Sequence, residues 1–587
     1  MRRGLPVSPG VAVGTAYCID EIFVSPGTQR LRNQEIPAEL AKYEAARDHA
    51  ARDLISLEKK LAEQVGPDET AIFEAHRSIL RDAAFNTTIP NWIVDERLTA
   101  QAALQKLLEQ YTDVFARVED EYLKDRLNDI RDVVLRINSH LSDPKDMNED
   151  GVTGPLIVVA DQLLPSQVVM LGDMEVNGIV TQAGSQTSHA AILARSRGIP
   201  AVSGVQDILR QINTGDTVVV DGKEGRVIIA PDAETRAAYL KLEREFFDFK
   251  DHLAENRDQP AITSDGVSLN LLANINSVTD AEAATAMGAT GVGLFRTEYL
   301  YLTHPVVPGE EEQLREYVSI IEASPNHSVT IRTLDIGGDK TVPFMGHVHR
   351  EANPFMGWRS IRLSFEHPGV FNSQLRAVMR AAAVAQEMGG DVRLMFPMIT
   401  TLEEIRRVRG LVRKARKQLI EEGKTYADVR IGMMLEVPAA AISIGSMLSL
   451  VDFVSIGSND LVQYLMAADR DNPKVSHLCQ PLAPPVLRVL TDVIRTCTAA
   501  GKPLTLCGEM AGQPTAFTLL LGMGLRSFSM SPAFIPFIKE FARHITTKAA
   551  EQLLEHALTL TATGRIRRYM TDQLAHVVPD FDRFEIS

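Results

Sequence analysis

The chain has 587 residues, which is too many for one ordinary domain and predicts three or more. Apolar residues make up 45% of the sequence and charged residues 23%, a balance that is typical of a folded globular protein and excludes a mostly disordered or membrane-embedded one. The 76 acidic residues outnumber the 61 basic ones, and the net charge of −15 argues against nucleic-acid binding and favours a basic protein partner.

The cysteines and the N-terminus bear on the cellular compartment. The four cysteines are too few for a disulfide scaffold, and their spacing fits no zinc pattern. No segment reaches 18 uncharged apolar residues, and the first residues, MRRGLPVSPGVAVG, lack the apolar core of a signal peptide. We therefore predict a cytoplasmic protein with reduced cysteines and no membrane insertion.

The first part of the chain alternates between two textures. Short apolar runs in residues 1–25 predict strands, and similar runs return after residue 145. Between them the sequence is rich in Ala, Leu, Glu, Lys and Arg, and apolar residues recur at helical spacing. These patterns predict one α/β domain formed by residues 1–25 and 145–230, with a helical bundle inserted at residues 26–144.

A charged helix over residues 231–260 is predicted to link this part to a C-terminal domain at residues 261–587. Eight short apolar runs recur in that domain with helical stretches between them. The runs cover residues 269–275, 291–296, 329–336, 392–399, 431–437, 453–458, 504–509 and 527–531. Eight such units over about 250 residues predict a (β/α)8 barrel, and an open doubly wound sheet is the alternative.

Polar residues cluster at the ends of these runs, where the active site of a (β/α)8 barrel lies. The end and connection residues are Arg296, Arg332, Asp335, Asp339, Lys340, Arg359, Glu436, Ser458, Asn459, Asp460, Arg470, Cys507 and Glu509. Arginine forks suit phosphate and carboxylate groups, and two neighbouring carboxylates suit Mg2+ that a substrate also ligates. Any single member is explained equally well by a structural salt bridge, whereas the whole set predicts a small anionic substrate.

Two nucleophilic residues add to this prediction. Cys507 taken alone is a small buried hydrophobe, but beside arginines its thiol can donate a proton at neutral pH. His189 follows a strand and a loop of small residues and lies near the start of a predicted helix. Free N–H groups there would stabilise a phosphate carried covalently on the ring, although such a histidine is often only structural.

The chain closely resembles the enzyme I family of the bacterial phosphoenolpyruvate-dependent sugar phosphotransferase system, over essentially its whole length. The resemblance rests on a series of segments that occur in the family's order. They are TSHAAILARS, GLFRTEYL, IRTLDIGGDK, NPFMGWR, MLEVPAA, VSIGSNDLVQY, SHLCQPLAP, CGEMAG and GMGLRSFSMSP. The resemblance implies a phosphohistidine domain that swivels, an inserted helical domain and a (β/α)8 barrel.

The resemblance also implies a reaction and a role for each matching residue. Phosphoenolpyruvate would donate its phosphoryl group to His189 with release of pyruvate, and the group would then pass to the phosphocarrier protein HPr. The substrate-binding residues would be Arg296, Arg332, Asn459, Asp460 and Arg470. Glu436 and Asp460 would bind Mg2+, and Cys507 would protonate the enolate carbon.

Partners follow from the same resemblance. The helical insert would dock HPr, with His76 as a candidate alongside four acidic neighbours, Asp68, Glu69, Glu74 and Asp82. A solvated helix face explains these acidic residues equally well. The barrel domain would form a homodimer, and a hinge near residues 231–260 would let His189 meet phosphoenolpyruvate and then HPr.

Departures from the family pattern keep alternatives open. Leu164 and Val168 stand where hydroxyls are usual, Gln186 stands where a basic residue is usual, and Gln513 replaces an aspartate. One alternative is therefore a regulatory phosphoenolpyruvate sensor or phosphotransferase that is not coupled to sugar uptake. Another is a pyruvate phosphate dikinase or phosphoenolpyruvate synthase, but the chain has no room for the ATP-binding domain of those enzymes.

Overall fold

The computed structural model describes most of the chain, in two compact units, Met1–Asp248 and Phe249–Ile586. The described residues are 2–8, 10–19, 30–64, 76, 77, 79–115, 121–141, 155–163, 176–183, 194, 199–303, 306–337, 353–470, 472, 474–579, 581 and 584. No helix in these ranges combines the length and apolar character that crossing a membrane requires.

A mixed eight-stranded sheet forms the first unit's β layer. Its strands are β1 (Arg2–Arg3), β2 (Leu5–Ser8), β3 (Val11–Cys18), β4 (Leu156–Ala160), β5 (Val176–Thr181), β6 (Ala201–Ser203), β7 (Thr217–Asp221) and β8 (Arg226–Ile229). The spatial order is β1-β8-β7-β3-β4-β5-β6-β2. Strand β3 pairs parallel with β4 and antiparallel with β7, so strands before and after the helical segment share one sheet.

Helices occupy the chain between β3 and β4. They are α1 (Ile36–Gln64), α2 (Ile89–Asp95), α3 (Ala100–Phe115) and α4 (Glu121–Leu141), with a π-helical turn at Ala84–Thr88. Their apolar stripes meet in one core that includes Leu54, Leu104, Val134 and Ile137, all fully buried. The predicted helical bundle is therefore present, because the 3.6-residue spacing of these side chains puts them on the faces that pack together.

The charged segment after β8 forms helix α5 (Ala233–Glu255), within the predicted linker. The division between the two compact units falls inside this helix. Glu243 on α5 accepts a hydrogen bond from the backbone N–H of Val13 at 3.0 Å, so the first part of the helix is held by the sheet.

The second unit contains a closed barrel of eight parallel strands, which confirms the predicted fold class and excludes the open sheet. The strands are β9 (Asn270–Ile275), β10 (Val292–Arg296), β11 (Ser328–Arg332), β12 (Asp391–Phe396), β13 (Arg430–Leu435), β14 (Phe453–Gly457), β15 (Leu504–Cys507) and β16 (Ser527–Met530). Pairing of β16 with β9 closes the barrel. Each predicted apolar run overlaps one strand, since both faces of a parallel barrel strand are covered.

Helices surround the barrel. They are α6 (Val278–Ala286), α7 (Glu298–Thr303), α8 (Glu310–Ala323), α9 (Ile361–Glu366), α10 (Pro368–Glu387), α11 (Leu402–Glu421), α12 (Pro438–Ile442), α13 (Ile444–Met447), α14 (Ser458–Met466), α15 (Pro484–Ala499), α16 (Pro514–Gly522), α17 (Ile535–Ala542), α18 (Thr547–Ala557) and α19 (Thr563–Val577). A separate small buried cluster comes from five barrel strands: Leu294, Met395, Met434, Phe453 and Cys507. Alternate strand residues point inward, so this cluster belongs to the barrel lumen.

Candidate active site

The predicted ring of polar residues lies at the carboxyl ends of the barrel strands. Arg296 is the last residue of β10, Arg332 the last of β11 and Cys507 the last of β15. Glu436 follows β13, and Asp460 lies in the first turn of α14, directly after β14. Strand β11 ends at Arg332, four residues earlier than predicted, and the apolar residues Leu334 and Ile336 that follow it are buried outside the strand.

Arg332 is held by two carboxylates. Its Nη2 lies 2.6 Å from Glu298 Oε1, and its Nη1 lies 3.2 Å from Asp335 Oδ2. The residue is only 7% exposed. Burial by itself would lower the pKa of Arg332, but Glu298, Asp335 and further carboxylates raise it above its usual value. The guanidinium therefore remains charged in a buried place.

Arg359 lies between Asp335, which follows β11, and Asp460, a candidate metal ligand. Its Nη2 lies 3.1 Å from each oxygen of Asp335 and 3.6 Å from Asp460 Oδ2. Gly337 makes this approach feasible: its φ is +105°, and a Cβ there would lie 2.4 Å from the carbonyl oxygen of Trp358. Only glycine fits such a position without strain.

Glu436 is an acid placed among other acids. It is 1% exposed, and its Oε1 accepts a hydrogen bond from the Met398 N–H at 2.6 Å. Burial, followed by repulsion from Asp460 and Asp335, raises the pKa of Glu436 to about 8. A bound cation would relieve this repulsion, and paired carboxylates are the oxygen donors that Mg2+ prefers.

The donor set fits a cation that is completed by substrate. Among the described residues, no group of three or more His, Cys, Asp or Glu side chains is arranged to hold a metal ion. Glu436 and Asp460 are two carboxylate donors, and Mg2+ is commonly held by one or two carboxylates together with substrate oxygens.

Arg470 and Asn459 lie at the rim of the site. Arg470 Nη1 contacts Asp460 Oδ1 at 2.9 Å, and its side chain is 39% exposed, so it can also reach a ligand. The Asn459 amide oxygen accepts a hydrogen bond from the Glu509 N–H at 3.2 Å, and its Nδ2 points to the Glu509 carboxylate at 3.5 Å. Contacts with Asp460 and Glu509 therefore fix the side chains of Arg470 and Asn459, respectively.

The positive charge of Arg296 is disfavoured by its surroundings. Its Nη1 donates a hydrogen bond of 3.4 Å to the amide oxygen of Asn276. Burial, and then the nearby Arg332, lower the pKa of Arg296 below its usual value. An anion bound between the two guanidinium groups would remove this penalty.

Cys507 stands in the lumen below the arginines. It is 3% exposed, its Sγ lies 2.8 Å from Ser455 Oγ, and it donates to the Gly293 carbonyl at 3.7 Å. Burial raises the pKa of Cys507 to about 11, although hydrogen bonds from Ser455 and Ser529 oppose the rise. The thiol is therefore protonated at neutral pH, which is the form that a proton donor requires.

Several predicted residues lie outside the described residues. They are Asp68, Glu69, Glu74, Leu164, Val168, Gln186, His189, Asp339 and Lys340. The role of His189 and the effect of the altered loop around it therefore rest on the sequence. Gln513 is described and immediately precedes helix α16, where its backbone N–H binds the Met510 carbonyl.

His76 differs from the expectation that it faces a carrier protein. The residue is fully buried, with Nε2 3.3 Å from Asp129 Oδ1 and Nδ1 3.8 Å from Asp132 Oδ2. Its ring is enclosed by the helical core and does not present itself to a partner. Asp82 is exposed, and its carboxylate accepts from the Ala84 N–H at 2.8 Å.

Sequence reasoning assigned no role to Glu298, Ser455 and Ser529. Glu298 stands two residues after Arg296 in the GLFRTEYL segment, so a search of that segment for a counter-ion would have found it. Ser455 stands two residues before the end of β14, on the alternating face that points into the lumen. Ser529 is the register partner of Cys507 on the adjacent strand.

Comparisons with known proteins agree with this geometry. Residues 250–547 match the family model described as the PEP-binding domain of PEP-utilising enzymes. Residues 3–126 and 152–225 match the N-terminal and mobile domains of the same enzymes. The phosphoenolpyruvate-protein phosphotransferase of Haemophilus influenzae is 37% identical over 580 residues, covering 98% of this chain and 99% of its own. The chain belongs to the phosphoenolpyruvate-protein phosphotransferase family.

Another member of the phosphoenolpyruvate-protein phosphotransferase family, from Staphylococcus carnosus, is 38% identical over 565 residues, or 96% of this chain and 97% of its own. An NMR solution structure of an Enzyme I protein is 33% identical and covers 42% of this chain and all of that one. Its TM-score of 0.33 is too low to bear on the fold. The family assignment rests on the end-to-end sequence similarity.

Proposed function

We propose that the chain transfers a phosphoryl group from phosphoenolpyruvate to His189, releases pyruvate, and passes the group to a histidine of HPr. This is the first general step of the sugar phosphotransferase system. One observation carries the proposal: the buried Arg332, the half-buried Arg296, a carboxylate pair and a protonated thiol converge at the mouth of the barrel. The chain also matches phosphoenolpyruvate-protein phosphotransferases from end to end.

The substrate is bound by its two anionic groups. Arg296 and Arg332 approach the site from neighbouring strands, and Arg470 reaches it from the loop after α14. Guanidinium forks bind phosphate and carboxylate oxygens in a bidentate manner, so the three residues would orient phosphoenolpyruvate. Asn459 donates from its amide to the substrate, and Asp460 holds Arg470 in place.

Glu436 and Asp460 would hold Mg2+, for which their charge and oxygen donors are suited. The ion would neutralise charge on the phosphoryl group and the enolate. Glu436 itself must lose its proton to take part, and its raised pKa makes that loss depend on a cation nearby.

Cys507 would complete the reaction by protonating the enolate carbon. When the P–O bond of phosphoenolpyruvate breaks, the leaving group is the enolate of pyruvate. A thiol that keeps its proton at neutral pH and lies beneath the arginines is suited to deliver it. Phosphoryl transfer needs mainly positioning and charge stabilisation, which the arginines provide.

Domain roles follow from the family. We assign residues 1–25 and 145–230 to the phosphohistidine domain, residues 26–144 to the HPr-binding insert and residues 261–587 to the substrate-binding and dimerisation barrel. His189 must reach both phosphoenolpyruvate and HPr, and helix α5 within residues 231–260 is the proposed hinge element. A homodimer in the cytoplasm is part of this proposal.

Labelling with 32P-phosphoenolpyruvate in the presence of Mg2+ tests the proposal. The unsubstituted chain should take up acid-labile, base-stable label, and His189→Ala should take up none. His140→Ala is the matched control, because His140 lies on helix α4 and pairs with Asp53 at 2.6 Å. It should label normally.

The partner is tested by adding HPr to the labelled chain. Label that moves to HPr and leaves His189 supports the sugar phosphotransferase role. Label that stays on the chain while pyruvate is released would favour the regulatory alternative. Binding of phosphoenolpyruvate without any labelling would contradict the transferase itself.

A further inference from the structure

Two buried serine hydroxyls flank the sulfur of Cys507. Ser455 on β14 is 2% exposed, and its Oγ lies 2.8 Å from Cys507 Sγ. Ser529 on β16 is fully buried, is the register partner of Cys507 and hydrogen-bonds to the sulfur. Strands β14 and β16 lie on either side of β15, so the thiol is held between them.

The side chain of Ser529 is positioned by Asn274 on β9. Its Oγ donates to Asn274 Oδ1 at 2.6 Å, and Asn274 Nδ2 donates back to the Ser529 carbonyl at 3.3 Å. Gly293 on β10 leaves room for this hydroxyl, since a Cβ there would lie 2.5 Å from Ser529 Oγ. Residues of β9, β10, β14 and β16 thus surround the sulfur and the two hydroxyls beside it.

The arrangement suits both protonation states of the thiol. A serine hydroxyl can accept a hydrogen bond from S–H and can turn to donate to a thiolate. Ser455 can do so directly, whereas Ser529 must give up its hydrogen bond to Asn274 Oδ1 when it donates to the thiolate. The charged groups that influence the sulfur are Arg296 and Arg332, and its apolar lumen neighbours are Leu294, Met395, Met434 and Phe453. The two hydroxyls are therefore the local dipoles that can follow the change of charge on sulfur.

We propose that Ser455 and Ser529 are positioning residues for proton transfer from Cys507, which aim its thiol and stabilise the thiolate that remains. This inference rests on the proposed function. In the step, the S–H bond breaks and its electron pair stays on sulfur. The electron pair of the enolate forms the new C–H bond of pyruvate, and water later reprotonates the thiolate.

The first test is alkylation of Cys507 by iodoacetamide at pH 8, followed by peptide mapping of the full-length chain. Only the thiolate reacts, so the rate reports on its population. The Ser455→Ala/Ser529→Ala variant should react about tenfold more slowly than the unsubstituted chain. A slower rate cannot be a steric effect, since loss of two side chains can only open access to the sulfur, and an equal rate would overturn the inference.

Matched variants separate this effect from damage to the lumen. Thr505 lies two residues before Cys507 on β15, and its Oγ1 donates to Ser527 Oγ at 3.1 Å. Thr505→Ala removes a lumen hydroxyl that does not touch the sulfur, and it should leave alkylation unchanged. Ser455→Thr keeps the hydroxyl and should react like the unsubstituted chain, whereas a rate as low as that of Ser455→Ala would contradict the role of the hydroxyl.

The second test is the pH profile of pyruvate formation. In the double variant kcat should fall at least tenfold with KM for phosphoenolpyruvate unchanged, and the alkaline limb should move to higher pH. A rise in KM with kcat kept would overturn the inference. Alkylation needs no phosphoenolpyruvate, so it tests the hydroxyls by itself, whereas failure of the unsubstituted chain to form pyruvate would count against the proposed function.

Discussion

Glu436 carries the clearest electrostatic signature in the barrel. Its carboxyl group has an ordinary pKa of 4.5, and burial beside Asp460 and Asp335 raises the pKa to about 8. In the unfolded chain the proton leaves near pH 4.5, whereas in the folded chain it stays until about pH 8. The contribution of Glu436 to stability is therefore lost as pH rises through this window.

We predict that Glu436→Gln is more stable than the unsubstituted chain at pH 8 without divalent cations. The amide cannot ionise, and its oxygen can still accept from the Met398 N–H. The gain should be on the order of a few kcal/mol and should shrink towards pH 5. Urea denaturation at both pH values in EDTA measures it, and an equal difference at the two pH values would contradict the account.

Glu298 is the residue that sequence reasoning overlooked and that the site depends on. Its Oε1 accepts from Arg332 Nη2 at 2.6 Å and from the Asp335 N–H at 3.0 Å. Sequence patterns identify charged residues near strand ends, but they do not show which charge neutralises which. That pairing depends on where Asp335 and Glu298 lie around Arg332 in the folded chain, which no local pattern encodes.

We predict that Glu298→Ala destabilises the barrel by about 3–5 kcal/mol and raises KM for phosphoenolpyruvate more than tenfold. Removing one partner leaves the other charge buried and poorly compensated. Chemical denaturation and steady-state kinetics measure the two effects. Glu311→Gln is the control: its pair with Arg380 is largely exposed on the Glu311 side and should cost less than about 1 kcal/mol. Equal effects of the two changes would refute the role of Glu298.

Within the helices and strands of the barrel domain, two glycines differ in how much space surrounds them. Gly410 lies inside helix α11, and a Cβ at this position would meet no atom within 4 Å. Gly432 lies on β13, and a Cβ there would lie 2.3 Å from the ring of Phe453. Glycine is thus required at the second position and is only a weak helix residue at the first.

We predict that Gly410→Ala stabilises the protein by about 0.5–1 kcal/mol, because alanine has the higher helix propensity. Gly432→Ala is expected to destabilise it by about 1–3 kcal/mol through overpacking of the lumen. Thermal denaturation of both variants tests the pair. Destabilisation by Gly410→Ala would contradict the prediction, because it would mean that a Cβ at residue 410 clashes with an atom that the structure does not place there.

Elements were predictable where their side chains repeat regularly. The eight barrel strands follow from apolar runs because both faces of each strand are covered, as by the adjacent residues Phe453 and Val454 of β14. The ends of the strands were less predictable. The predicted run at residues 329–336 extends beyond β11, and its last residue, Ile336, is apolar although it is not part of the strand. Ile336 is buried beyond the end of β11, where its carbonyl binds the Ser360 N–H at 2.8 Å.

At the scale of the whole molecule, the chain divides the chemistry between two units. The barrel unit contains the substrate-site candidates, and the phosphohistidine candidate His189 belongs to the sequence of the other unit. The order of motifs in the sequence predicts this division. It does not show that His76 is buried, because the same acidic helical sequence is compatible with a histidine that faces a partner and with one that faces a core.

The proposed reaction delivers the phosphoryl group of phosphoenolpyruvate from the barrel site to His189. A single-turnover experiment with Mg2+ and without HPr, in which pyruvate release and the site of phosphorylation are measured together, tests this transfer. We expect one pyruvate for each phosphoryl group found on His189, and loss of both products in His189→Ala. Pyruvate release that persists in His189→Ala, or label on another residue, would contradict it.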